Sequence, residues 1–230
     1  MKGCLYSVGV GPGDPELMTV KAMQTIQKCP VIILPAASRE NCVAYQIARQ
    51  MVPEIEEKES LCLVMPMVKD KKILDENHEA AAEKVAAILE TGQNAAFITI
   101  GDPTVYATSM YIHQRVAQMG YQTEIISGVP SFCAAAAKLG ISLGERQEQI
   151  HIIPASYDIE NAMTLPGTKI LMKAGKKISV VKQCVQQHHE WIAMVENCGM
   201  ENERLWTDAE KMPENPGYYT LMIAKDRKEA

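Results

Sequence analysis

Along the first 130 residues, short runs of β-branched and apolar residues alternate with stretches in which apolar positions recur every three or four. The runs at 5–10, 31–34, 61–64, 95–100 and 123–126 predict strands. Between them, Leu17, Val20, Met23 and Ile26 follow a spacing of three, and Val43, Ile47 and Met51 a spacing of four. Val85, Ile88 and Leu89 share one helical face that Gly92 closes. Strand and helix in strict turn predict a largely parallel sheet, because parallel neighbours need a crossover between them.

The pattern then changes. A small-residue helix is expected at 130–139, stopped by Gly140, with strands at 150–153 and 169–172 and a helix at 178–187. Further strands are expected at 191–196 and 218–224, before a charged tail at 225–230 that should fray. The fold class is therefore α/β in two domains, 1–127 and 128–230, each around a mainly parallel or mixed sheet. No Gly/Ser linker separates the two, so they should pack closely along a shared cleft. At 47% hydrophobic and 22% charged, the chain has the apolar mass for such cores, which excludes disorder and simple coiled coil.

Charge and cysteine usage narrow the partners. The net charge of −5 does not advertise nucleic-acid binding. No apolar run approaches the ~18 residues that span a bilayer, and the first residues meet glycine, proline and aspartate before a signal core forms. A cytoplasmic protein without membrane contact is expected. Seven cysteines, none within a dozen residues of another, support reduced thiols rather than a zinc knuckle or a disulfide framework. His189-Glu190 opens like a zinc-protease motif, but Ala193 stands where its second histidine belongs, and no metal site is indicated.

Three loops carry the chemistry. The first, Val8-Gly9-Val10-Gly11-Pro12-Gly13-Asp14-Pro15-Glu16-Leu17, fails the dinucleotide fingerprint, since G-x-G-x-x-G would need a glycine where Asp14 stands. It specifies a tight turn into a helix capped by Asp14, with Pro15 in the first helical position. The second, Ile100-Gly101-Asp102-Pro103-Thr104-Val105-Tyr106, bends the chain at the carboxyl end of a strand, where open α/β sheets bind ligands. Asp102 is either a ligand-orienting carboxylate or the cap of the next helix. The third runs from Ser127-Gly128-Val129-Pro130-Ser131-Phe132-Cys133 into four alanines, a helix with almost no bulk. Those alanines admit either a ligand or tight packing against the sheet.

In this order and spacing the three loops resemble the tetrapyrrole methylase family of S-adenosylmethionine-dependent transferases. The resemblance extends to Ile170-Leu171-Met172-Lys173, Val195-Glu196-Asn197-Cys198-Gly199 and Tyr219-Thr220-Leu221. It departs at Ile100, where the family often has the first glycine of GGDP. Within the family the chain most resembles the precorrin-2 or cobalt-factor II C20-methyltransferases of cobalamin biosynthesis, through GDPTVYAT running into Met110-Tyr111 and Glu196-Asn197-Cys198-Gly199-Met200. The resemblance implies two α/β domains with the active-site cleft between them, and a homodimer. It implies S-adenosylmethionine as donor, S-adenosylhomocysteine as product, and a tetrapyrrole as substrate. By position the cofactor would meet Gly101, Asp102, Val105, Tyr106, Pro130, Ser131, Met172, Cys198, Tyr219 and Thr220. Pro12, Gly13, Asp14 and Lys173 would lie nearer the tetrapyrrole.

The reaction so implied is displacement at a sulfonium methyl by a meso carbon. It needs alignment rather than a nucleophile–base triad, and none is visible. One proton must then leave the ring, with Asp14, Asp102 and Tyr106 as candidate acceptors. Arg39, Lys138, Lys173 and Lys176 are candidate partners for the substrate's carboxylates, or else ordinary surface cations. Methylation at another ring position (uroporphyrinogen, C11 or C17 type) and a non-catalytic ligand sensor of the same fold remain the alternatives.

Overall fold

The computed structural model describes residues 1–66, 68, 70–154 and 157–226; the expected frayed tail lies largely outside them. The chain forms two compact units, Met1–Pro130 and Ser131–Ala230. In the first, β1 (Cys4–Gly9), α1 (Val20–Lys28), β2 (Val31–Leu34), α2 (Val43–Met51) and β3 (Glu59–Cys62) are followed by α3 (Lys71–Glu90), β4 (Ala95–Thr99), α4 (Ser109–Gln118) and β5 (Gln122–Ile126). The strands lie in the order β3-β2-β4-β1-β5, every neighbouring pair parallel.

Helices cover both faces of this sheet, which is why its central strands read as unbroken apolar runs. Ile32, Leu34, Ala96 and Ile98 pack with Ala22 and Ile26 of α1 and Tyr45, Ile47 and Ala48 of α2. The alternate residues Val31, Ile33, Ala95 and Phe97 pack with Ala82, Val85 and Leu89 of α3 and Ile112 and Val116 of α4. Two sequence expectations shift here. The third strand begins at Glu59, not Leu61, because β3 pairs along β2 from Val31↔Glu59 to Leu34↔Cys62 as an edge strand, whose polar start can face water. The spacing through Leu17 does not belong to one helix either. Asp14 caps only a three-residue 3₁₀ turn (Pro15–Leu17), and α1 starts afresh after Thr19, whose hydroxyl accepts from Ala22 N.

The second unit carries α5 (Ser131–Leu139), β6 (Ile150–Pro154), α6 (Ile159–Met163), β7 (Thr168–Met172), α7 (Ile178–His188), β8 (Trp191–Glu196), β9 (Arg204–Trp206) and β10 (Thr220–Lys225). Its order is β6-β7-β10-β8-β9, with β6 and β7 parallel and the other pairs antiparallel. β10 starts two residues later than the apolar run suggests, leaving Tyr218 and Tyr219 in the loop before it. Neither β9 nor α6 stands out in the sequence, for each spans five residues or fewer. On one face, Ile153, Leu171, Met194 and Met222 pack with Ile159 and Met163 of α6 and Val181, Cys184 and Val185 of α7. At one end of this sheet the fully buried Lys169 ammonium lies 2.7 Å from both Glu190 Oε1 and Asp226 Oδ1. Burial raises the Glu190 carboxyl, whereas for Asp226 the bonds to Lys169 and the Gly167 N–H outweigh burial and lower it.

Beneath the first sheet, the buried Ser7 Oγ lies 2.9 Å from His113 Nδ1. Burial pushes the His113 imidazole below its ordinary value. A histidine depressed in the folded state takes up its proton more readily when unfolded. Stability therefore rises with pH through the histidine range and is lost on acidification. Thermal unfolding between about pH 7.5 and about pH 5.5 should show this loss reduced in His113→Asn relative to the parent chain. An unchanged pH slope would remove His113 from that account.

Candidate functional site

The carboxyl ends of β1, β4 and β5 lie side by side, and three loops leave the sheet there. Their closest approaches are main chain to main chain. Gly101 N donates to Gly11 O at 2.7 Å and Gly11 N returns to Gly101 O at 3.4 Å, a one-pair antiparallel bridge between the first two loops. Gly128, in the third loop, sits so close that a Cβ there would lie 2.1 Å from Gly101 O and 2.9 Å from Gly9 Cα. A Cβ on Gly9 would meet Gly101 O at 2.4 Å and Gly128 N at 2.8 Å. No side chain fits at either position.

Asp102 locks this junction. It is 7% exposed, its Oδ2 accepts the Gly128 N–H at 2.9 Å, and its Oδ1 accepts from the Thr104 N–H at 2.8 Å and hydroxyl at 2.5 Å. Asp102 is thus not the cap of the following helix, which begins only at Ser109. Its carboxylate ties the second loop to the third. Beyond it the loop turns outward: Val105 is half-buried, and Tyr106 is exposed with φ +50°, in the left-handed region that costs a non-glycine residue roughly 1–2 kcal/mol. Pro12 and Gly13 are buried, and Asp14, half-buried, accepts the Glu16 N–H at 3.0 Å. Ile100, in place of the family's first glycine, packs against the core shared with α1 and α2.

In the second unit Met172, Lys173, Cys198, Tyr219 and Thr220 gather at one end of the sheet, while Ser131 opens α5 and Pro130 closes the first unit. β7 and β8 finish beside the start of β10, with Leu221 opposite Met172 and Thr220 opposite Glu196. Each strand end turns sharply: Lys173 has φ +59° and Asn197 φ +54°. The Gly199 N–H donates to Glu203 Oε2 at 2.6 Å, holding the Cys198 turn. Met172 is half-buried, Cys198 and Thr220 are buried, and Tyr219 stands edge-on to Tyr218. The exposed Lys173 ammonium lies 5.9 Å from the centre of the Tyr218 ring. Cavities of about 510 and 580 Å³ in this unit surround Trp191, at the far end of β8, and are not part of this cluster.

Two of the candidate cations are already committed. Arg39 donates to Ser60 Oγ and to the Glu56 and Lys58 carbonyls, bracing β3, and Lys138 pairs with Glu203 at 3.4 Å. The sequence reading missed Glu203 and Arg204 altogether; only their position just after the Glu196-Asn197-Cys198-Gly199 stretch hinted at them.

A parallel α/β unit whose strand-end loops meet main chain to main chain, followed by a mixed α/β unit with its own cluster of turns, defines a two-unit α/β class that carries neither the dinucleotide nor the P-loop fingerprint. The chain belongs to the tetrapyrrole (corrin/porphyrin) methylases, whose family model matches residues 4–213. It is 36% identical, over 87% of its length and 85% of the relative's, to a protein of Methanocaldococcus jannaschii named "Probable cobalt-precorrin-2 C(20)-methyltransferase". It is 27% identical, over 98% of its length and 97% of the relative's, to a precorrin-2 C(20)-methyltransferase of Sinorhizobium. Among solved structures, a cobalt precorrin-4 methyltransferase superposes with a TM-score of 0.74 at 19% identity, over 96% of this chain and 94% of that one. A uroporphyrin-III C-methyltransferase of Thermus thermophilus, solved with bound S-adenosylhomocysteine, gives 0.69 at 18% identity, over 97% and 98%.

The junction makes a direct prediction. Gly128→Ala must push apart two loop backbones that cannot rotate away, an overpacking cost of about 1–3 kcal/mol or more. Its thermal midpoint should fall accordingly, and a midpoint equal to the parent's would mean the junction is looser than its geometry requires.

Proposed function

We propose that the chain transfers a methyl group from S-adenosylmethionine to carbon 20 of precorrin-2 or cobalt-factor II in cobalamin biosynthesis. The observation that carries this is the near full-length match to relatives named for C20 methylation. The candidate residues suit such a donor. Val105, Pro130, Met172 and Cys198 offer apolar surface for an adenine. Tyr106, Ser131, Tyr219 and Thr220 offer hydroxyls, and the Gly101 loop offers main-chain groups. When bound, the cofactor supplies a methyl already activated by its sulfonium.

The chain's own task is then alignment, and holding two reactants in line contributes about 7–11 kcal/mol to barrier reduction. The Gly9–Gly101–Gly128 junction serves it by fixing the loops before the ligand arrives. Asp102, buried with both oxygens engaged, is assigned to positioning rather than proton transfer. Asp14 and Tyr106 are the candidates for accepting the ring proton. Pro12, Gly13 and Asp14 would face the tetrapyrrole, with Lys173 pairing one of its carboxylates. The protein would work in the cytoplasm as a homodimer. All seven cysteines are free thiols, and no helix among the described residues is long and apolar enough to cross a membrane.

Incubation with precorrin-2, and separately with cobalt-factor II, using carbon-13-labelled donor should place one labelled methyl at carbon 20 by NMR. Label at another carbon would reassign the chain to a sister reaction, and binding without transfer would make it a sensor. Asp102→Ala should weaken S-adenosylhomocysteine binding by about tenfold and cost about 1–3 kcal/mol of stability, since the buried Gly128 N–H loses its acceptor. Calorimetry showing unchanged affinity would overturn that role. Light scattering should give twice the chain mass, and a monomer would refute the dimer.

A further inference from the structure

Glu196 has no part in the chemistry above, yet it is buried and held on both carboxylate oxygens. It ends β8 only 2% exposed, where a carboxylate persists only if its oxygens are hydrogen-bonded. Both are: Oε1 accepts the Gly217 N–H at 2.5 Å, and Oε2 accepts Arg204 Nη2 at 2.6 Å.

The loop it grips leads directly into Tyr218, Tyr219 and Thr220. Thr220, the register partner of Glu196, turns its hydroxyl back to Gly217 O at 2.7 Å. Asn197 donates its N–H to Tyr219 O at 2.9 Å. A Cβ at residue 217 would stand 2.7 Å from Glu196 Oε1, so a side chain there would displace the carboxylate. Pro216 and Gly217 in turn press on Gly175, beyond the end of β7, where an added Cβ would meet them at 3.1–3.3 Å. One buried charge thus sets the height of the turn over the ends of β7 and β8.

We propose that Glu196 is a positioning residue for the methyl donor, seating the Gly217–Thr220 turn so that Tyr219 and Thr220 meet the cofactor, with Arg204 holding the carboxylate in place. This rests on the reading that the donor binds against those two residues. The side chain of Arg204 is 61% exposed, so its ion pair is screened by water and salt, and the Gly217 bond carries the larger part. An amide at 196 keeps an acceptor for Gly217 but turns a donor toward Arg204. Alanine removes both acceptors and leaves a cavity.

The test compares Glu196→Ala, Glu196→Gln and Arg204→Met with the parent chain. S-adenosylhomocysteine affinity is measured by calorimetry, together with kcat and KM for donor and tetrapyrrole and the thermal midpoint. Glu196→Ala should weaken S-adenosylhomocysteine binding and raise the donor KM by about tenfold or more, Glu196→Gln by about three- to fivefold and Arg204→Met by about twofold. In all three, kcat and the tetrapyrrole KM should stay within about twofold of the parent. A folded Glu196→Ala with parental donor affinity overturns the proposal, as does an equal loss in all kinetic constants. If the alanine variant does not fold, unchanged donor affinity in both Glu196→Gln and Arg204→Met overturns it. A parent chain that fails to bind S-adenosylhomocysteine refutes instead the underlying assignment of the cofactor.

Discussion

The contact on which the first unit's architecture turns is made without side chains. Gly9, Gly101 and Gly128 bring three strand-end loops together so closely that a Cβ on Gly9 or Gly128 would collide with a carbonyl or an α-carbon. An antiparallel bridge between Gly11 and Gly101 then joins the first two loops just past the ends of the parallel strands β1 and β4. Packing of main chain on main chain leaves the loops little freedom, and the residues beyond the junction, Asp14 on one side and Tyr106 on the other, inherit its rigidity. Preorganisation of this kind is what a reaction limited by alignment requires.

A second device recurs in both units. Asp102 accepts from Gly128, Glu203 from Gly199 and Glu196 from Gly217. In each case a carboxylate that is wholly or largely buried takes the N–H of a glycine in a turn that bears candidate ligand contacts. Such charge-assisted bonds are stronger than neutral ones and strongest away from water. They also explain how a chain of net charge −5 can be read as handling a polyanion. Part of its acidity is turned inward to hold loops, while Arg39 braces β3 and the partly exposed Lys138 pairs with Glu203. Lys173 stands differently, exposed on a strained turn beside an aromatic ring.

Much of this was legible in the sequence. The alternation of strand and helix gave the parallel sheet, because strands buried on both faces, such as Val31–Leu34, cannot hide their composition. The three loops were recognisable because glycine, proline and aspartate report local geometry. Contacts between distant residues were not legible. Nothing near Asp102 shows that its oxygens face Thr104 and a glycine 26 residues away, so it read equally well as a helix cap. The spacing through Leu17 blurred a 3₁₀ turn into α1, since both place residues three apart on one side. β9 and Arg204 were invisible because three residues of edge strand carry no period.

A junction built from peptide groups has one more property: its shape does not depend on the identity of the amino acids around it. Side chains facing outward can be exchanged almost wholesale, provided a few positions stay bare. A solved structure sharing 19% of its residues with this chain superposes on 96% of it. Divergence toward new substrates would be written on the rim, while the base beneath it is handed down unaltered.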